Sequence, residues 1–286
     1  MPASRTLLLT ALAMLAFAGN SLLCRLALKA TQLDAVSFTG IRILSGALML
    51  GLLLRLRGRT GEAKGNWRAA AALFVYAAAF SYAYVQLDAG TGALLLFGAV
   101  QVTMLVVGLL RGERLAGQAL LGFALALGGL LVQLLPGAGA PPLTGALLML
   151  LSGVAWGLYS LLGRNAGDPL AVTTGNFVRG IAFAAVLALV FHGQLRGDVP
   201  GVVYAVLSGA LASGIGYAIW YAALPGLSAI QAASVQLSVP VLAALSGALV
   251  LGEHIGLRLL LVSCAMLGGI ALILRAKVRV PAAQRA

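Results

Sequence analysis

Ser213, Tyr217 and Tyr221 stand four residues apart, with Trp220 beside them. On a helix that spacing stacks three side chains on one face. Tyr82 and Gln86 repeat the spacing earlier in the chain. Trp156 and Tyr159 lie within one turn of each other, and Asn20, Gln101, Thr103, Gln231, Gln236 and Ser238 add amides and hydroxyls. Aromatic faces stack on rings and attract ammonium groups, while a few placed polar groups orient a ligand against apolar walls. This is binding chemistry. All seven acidic residues (Asp34, Glu62, Asp88, Glu113, Asp168, Asp198 and Glu253) lie in loops or at the ends of apolar runs, as do His192 and His254. Glu253-His254 and the His192 to Asp198 loop show no spacing of nucleophile and base. Cys24 and Cys264 give neither a metal pattern nor a disulfide framework. Neither catalysis nor a metal or other cofactor is expected.

The elements that position these residues follow from composition. Of 286 residues, 61% are hydrophobic and 9% charged, and the mean hydropathy is +1.03. That balance belongs to a chain whose partner is the lipid bilayer. A helix needs roughly 20 apolar residues to cross a bilayer, and its backbone must be satisfied internally. The runs are long and lack strand alternation, so the fold class expected is all-α and polytopic. Prolines and charged clusters divide the chain into ten spans near 6–24, 35–54, 67–87, 92–110, 115–134, 143–162, 170–191, 200–222, 228–250 and 257–275. The first run also reads as a signal peptide ending in Ala-Phe-Ala at 16–18; it is taken as a span because its counterpart later in the chain is internal. The net charge of +12 sits in loops, which membrane topology explains better than nucleic-acid binding. Thirteen Lys and Arg fall on the side of the termini and four on the other. Both termini are therefore expected in the cytoplasm, with the chain in the cytoplasmic membrane.

The chain also repeats itself. SLLCR at 21–25 returns as SLLGR at 160–164, Arg42 is followed by Arg179, Glu113 by Glu253, and Gly128-Gly129 by Gly268-Gly269. These four landmarks recur in order at offsets of 137 to 140. The expected organisation is a five-span repeat at 1–135, a linker at 136–142 and a second repeat at 143–286. Five is odd, so the second copy enters the membrane from the opposite side. Such inverted repeats build many secondary transporters around a midplane site.

Two five-span halves, each with Arg in its second span and Gly-Glu after its fourth (Gly112-Glu113, Gly252-Glu253), resemble the drug/metabolite transporter superfamily, EamA type. The resemblance implies a secondary carrier of small metabolites, with relatives that export amino acids, aromatic ones among them. One departure is Val100, which stands where Pro240 would map. Small multidrug exporters of the same superfamily hold cations with a carboxylate inside a span. None is expected here, which argues against a lipophilic-cation substrate.

Within this frame the cavity-lining candidates are Asn20, Tyr82, Gln86, Gln101, Trp156, Tyr159, Tyr217, Trp220, Gln236 and Ser238. The stripes of spans three and eight are expected to face each other near the pseudo-axis. The alternative for the aromatics is an interfacial belt, which suits Trp67 and Tyr221 best. Arg42 and Arg179 are the embedded charges. Arg42 is expected near Arg25, Asp34 and Glu253, and Arg179 near Arg164, Asp168 and Glu113, either as exchanging gates or as snorkelling side chains with static pairs. Pro240 denies a hydrogen bond to the Gln236 carbonyl and predicts a kink, mobile or rigid. Glu113 and Glu253 are expected to cap spans five and ten. The small-molecule substrate's identity and the oligomeric state are open at this point.

Overall fold

The computed structural model describes residues 3–58, 63–110, 112, 117–163, 167–227 and 229–275. Among them no strand occurs. The first seven spans are single helices: α1 (Ala3–Ala30), α2 (Ala35–Leu56), α3 (Trp67–Tyr84), α4 (Ala89–Leu110), α5 (Gln118–Leu134), α6 (Leu143–Gly163) and α7 (Pro169–Val190). The eighth runs through α8 (Val199–Leu207), a π-helical segment (Ser208–Ile215) and α9 (Gly216–Ala223). The ninth is broken into α10 (Ala229–Gln236) and α11 (Ser238–Leu251), and α12 (Leu257–Arg275) completes the ten.

Short polar residues start several helices by accepting the free N–H groups of the first turn. Asp34 Oδ1 takes Val36 N at 2.8 Å and Ser37 N at 2.9 Å, and Asn66 Oδ1 takes Ala69 N at 2.8 Å. Asp168 and Asp198 do the same for α7 and α8, each followed by a proline in the first turn. Glu253 departs from its expected role. Gly252 adopts the left-handed conformation (φ 65°) that ends α11 and turns Glu253 away from α12. Its Oε1 accepts from Arg25 Nε at 3.0 Å and its Oε2 from Ala89 N at 2.8 Å. Glu113 lies outside the described residues.

This pairing also explains why α1 outruns its predicted end at residue 24. Arg25, placed in a loop by its charge alone, is helical and 6% exposed. Glu253, Asp88 and the carbonyls of Tyr84 and Val85 all accept from it.

Eight stretches of the described residues are long and apolar enough to cross a membrane, and the 17-residue α5 is apolar but shorter. The helix left out, α3, carries Arg68, Ser81 and the tyrosines Tyr76, Tyr82 and Tyr84. It can do so because α6 and α7 pack against it, so protein replaces much of the lipid around it.

The packing shows the inverted repeat. Mates touch directly in three places, α2 with α7, α4 with α11 and α5 with α12. The remaining contacts come in exchanged pairs. Contact of α3 with α6 is mirrored by α9 with α1, α4 with α6 by α11 with α1, and α3 with α7 by the π segment with α2. Two-fold exchange between halves of odd span number places them upside down to each other. Gly153 shows how close the helices come, since a Cβ there would lie 2.5 Å from the Ala99 Cβ and 2.6 Å from the Leu96 carbonyl on α4.

Candidate functional site

Repeat mates build a cavity of about 460 Å³ in the middle of the bundle. Phe17 and Trp156, Asn20 and Tyr159, Ser21 and Ser160 are mates 139 residues apart, and each pair lines it. So do Tyr76 with Ser213 and Phe80 with Tyr217, each pair 137 apart, the same offset as Arg42 to Arg179. A hollow lined by both members of so many pairs lies on the pseudo-axis.

Aromatic rings form its walls. Trp156 is central, with its centroid 4.7 Å from Tyr76, 5.3 Å from Tyr159 and 5.4 Å from Tyr217. Phe17 packs against Tyr217 at 5.9 Å and Trp220 at 6.1 Å. Polar groups are few and already oriented. Ser208 donates to Asn20 Oδ1 at 2.6 Å, Asn20 Nδ2 approaches the Tyr76 hydroxyl at 3.5 Å, and the Thr173 and Tyr221 hydroxyls meet at 3.1 Å. No charged side chain lines the cavity among the described residues, and none of their acidic, histidine or cysteine side chains group as a metal site.

The two ends of the bundle differ. The lining reaches Gly163 at the end of α6, Pro169 at the start of α7 and Leu224 just after α9, all at the end where the N-terminus lies. At the opposite end the halves are fastened together. Besides the Arg25 cluster, the loop before α2 and the loop before α8 bracket each other. Arg196 N donates to Asp34 Oδ2 at 2.7 Å, and Gln32 N donates to Asp198 Oδ2 at 3.2 Å. Burial would raise the pKa of the Asp34 carboxyl, but hydrogen bonds from Ser37, Arg196 and Val36 outweigh it and hold the group below the ordinary carboxylate value.

Of the ten predicted lining residues, seven line the cavity: Asn20, Gln101, Trp156, Tyr159, Tyr217, Trp220 and Gln236. Tyr82 and Gln86 do not. The cavity-facing stripe of α3 is Tyr76 and Phe80, continued by Tyr84 against Phe80 at 4.7 Å. Tyr82 is half-buried on another face of that helix and Gln86 is exposed beyond its end. Ser238 is also exposed and returns its hydroxyl to the Val235 carbonyl at 2.7 Å. The offset of 137 carries Ser213, Tyr217 and Tyr221 onto Tyr76, Phe80 and Tyr84, which is the signal that identifies the correct stripe. Across the cavity the two stripes meet through Trp156 rather than directly.

Arg42 is not at the rim. Its side chain is 1% exposed, and the carboxylates expected near it serve Arg25 and the helix caps instead. Arg179 donates to the carbonyls of Lys64 at 3.1 Å and Gly175 at 2.9 Å. Of its expected neighbours, Asp168 caps α7, and Arg164 and Glu113 lie outside the described residues. Pro240 is buried near the start of α11, directly after the interruption at Leu237, whose N–H bonds the Ser234 carbonyl at 3.1 Å.

Comparison with known proteins agrees with this architecture. An uncharacterized protein of Pseudomonas aeruginosa is 76% identical over 275 residues, 96% of each chain. An uncharacterized transporter of Archaeoglobus fulgidus is 25% identical over 264 residues, 87% of this chain and 90% of its own. A solved crystal structure, 20% identical, covers 95% of this chain and 97% of its own with a TM-score of 0.66, and shares the fold. The model of the EamA-like transporter family matches residues 4–135 and again 143–275. With both halves matched, the chain belongs to the EamA-like transporter family, a multi-pass membrane protein of the drug/metabolite transporter type.

Proposed function

We propose that the protein is a secondary carrier that works by alternating access and exports small neutral zwitterions, amino acids with aromatic or apolar side chains foremost. One observation supports this reading above the others: the cavity is lined by paired residues of two inverted halves. If the halves rock about the pseudo-axis, the same pairs close one end as they open the other. The walls are rings that suit an apolar or aromatic side chain, and the uncharged lining disfavours a bare cation. The excess of Lys and Arg at the terminal end supports a cytoplasmic position for that end. The present arrangement then opens inward and is closed outside. In this reading Arg179 holds the terminal end of the path, and the break before Pro240 lets α10 move against α11.

Purified protein in proteoliposomes, offered a panel of radiolabelled amino acids with and without a pH gradient, tests the proposal. Saturable movement of at least one neutral amino acid is expected. Movement of other small metabolites or of drugs, with no amino acid carried, would favour the broader exporter reading.

A further inference from the structure

Arg42 lies one layer behind the cavity floor and touches three of its residues. Nη2 donates to the Tyr76 hydroxyl at 2.8 Å and Nε to Ser213 Oγ at 3.5 Å. The guanidinium carbon is 4.9 Å from the Phe80 ring centroid and 5.1 Å from that of Tyr76. Nη1 is buried without a hydrogen-bond partner among the described residues. Their two ion pairs both belong to Arg25. A buried guanidinium facing rings and hydroxyls is costly, and an anion would relieve it most.

The direction of the hydrogen bonds sharpens this. A phenol oxygen has two lone pairs and one proton. At Tyr76 the lone pairs face two donors, Arg42 Nη2 and Asn20 Nδ2. Asn20 is held that way by Ser208, which donates to its oxygen. The Tyr76 proton therefore needs an acceptor, and no group among the described residues takes it. A hydroxyl that accepts from a cation is itself a stronger donor. The π segment completes the arrangement. It seats Gly209 so closely on α2 that a Cβ would lie 2.2 Å from the Arg42 carbonyl, and one turn on it brings Ser213 beside the guanidinium.

We propose that Arg42, Tyr76 and Ser213 form an anion-recognition site in the cavity floor, so that the carried molecule presents a carboxylate there. The carboxylate accepts a hydrogen bond from the Tyr76 hydroxyl and its charge balances that of Arg42, and the rest of the substrate lies against Trp156 and Tyr217. Arg179 turns its Nη1 to the carbonyls of Lys64 and Gly175 rather than to a cavity hydroxyl, so the pseudo-symmetric counterpart is not formed among the described residues and a single carboxylate is preferred. This rests on the carrier reading and names its substrate class: small organic monocarboxylates, amino acids included.

The test is equilibrium binding to the purified protein in nanodiscs, by calorimetry and thermal shift, which needs no flux. The probes are phenylalanine, tryptophan, leucine and phenylpropionate, each paired with its amide. Carboxylates are expected to bind, and their amides to bind at least tenfold more weakly. Tyr76→Phe keeps the ring packing and should weaken carboxylate binding by about ten- to a hundredfold while leaving amide binding unchanged. Arg42→Gln should do the same, with Arg42→Lys intermediate. Equal affinity for acid and amide, unchanged carboxylate affinity in Tyr76→Phe, or no binding by any carboxylate of the panel overturns the inference. Flux without carboxylate preference would overturn it and leave the carrier intact, whereas carboxylate binding without flux would do the reverse.

Discussion

Replacing Glu253 by Gln should open the fastened end of the bundle, and the chain carries its own reporter. Glu253 Oε1 bonds Arg25 Nε and Oε2 bonds Ala89 N. A glutamine has one acceptor oxygen. If it keeps the Ala89 bond, its NH2 group faces Arg25 and leaves Nε without a partner. Removing one partner of a buried ion pair costs about 3–5 kcal/mol. Asp88, half exposed, and the Tyr84 and Val85 carbonyls still hold the guanidinium, so the net loss is about 2 kcal/mol, or roughly 30-fold in an opening equilibrium. Cys24 precedes Arg25 and is fully buried, whereas Cys264 is exposed. In a Cys264→Ala background, Cys24 should react with a membrane-impermeant methanethiosulfonate about 30-fold faster once Glu253 is Gln. The increase should appear from the side opposite the N-terminus. A drop in melting temperature with no gain in Cys24 labelling would refute the reasoning, because the cluster would then be a static clamp.

Three further outcomes follow from the packing and charge of the site. Gly209→Ala places a Cβ 2.0 Å from Ser45 Oγ and 2.2 Å from the Arg42 carbonyl, and backbone cannot yield as a side chain can. A loss of about 1–3 kcal/mol in stability is expected, measurable as a lower melting temperature in detergent. Trp156→Ala removes the ring that joins the Tyr76, Tyr159 and Tyr217 surfaces, and should weaken equilibrium binding of an aromatic substrate more than that of an aliphatic one. Asp34 has a folded-state pKa below its unfolded value. Its contribution to stability is therefore complete above about pH 4 and disappears as pH falls through the lower folded value. Asp34→Asn should flatten the acid limb of the stability profile and leave the profile near neutral pH unchanged in shape.

The features that follow a period or an offset were readable in the chain, and those that depend on the partner of a charge were not. Ten spans, their inversion and the aromatic character of spans six and eight follow from hydropathy and from landmarks separated by 137 to 140 residues. The error on α3 arose from applying a four-residue spacing without the offset, since Tyr82–Gln86 and Tyr76–Phe80 satisfy that spacing equally well. Carrying Tyr217 back by the Arg42 to Arg179 offset lands on Phe80 and resolves the choice. The broken ninth span followed from one proline, whose missing N–H cannot be accommodated in a helix interior. The π segment in the eighth had no comparable mark.

Charges behaved differently. Hydropathy assigns Arg25 to a loop because an isolated guanidinium is costly in lipid, yet Glu253, 228 residues away, removes that cost. The same rule sends Arg42 toward a rim of carboxylates, and there the opposite happened. The acids within reach were spent on Arg25, on helix caps and on the bracket between loops. Arg42 was left among rings and hydroxyls. A residue's own sequence neighbourhood cannot report which of several distant acids it will meet. The unspent cation is therefore where the folded molecule says most that its sequence does not, and Tyr76→Phe, which removes one oxygen and no packing, separates an anion site from a buried charge that is merely tolerated.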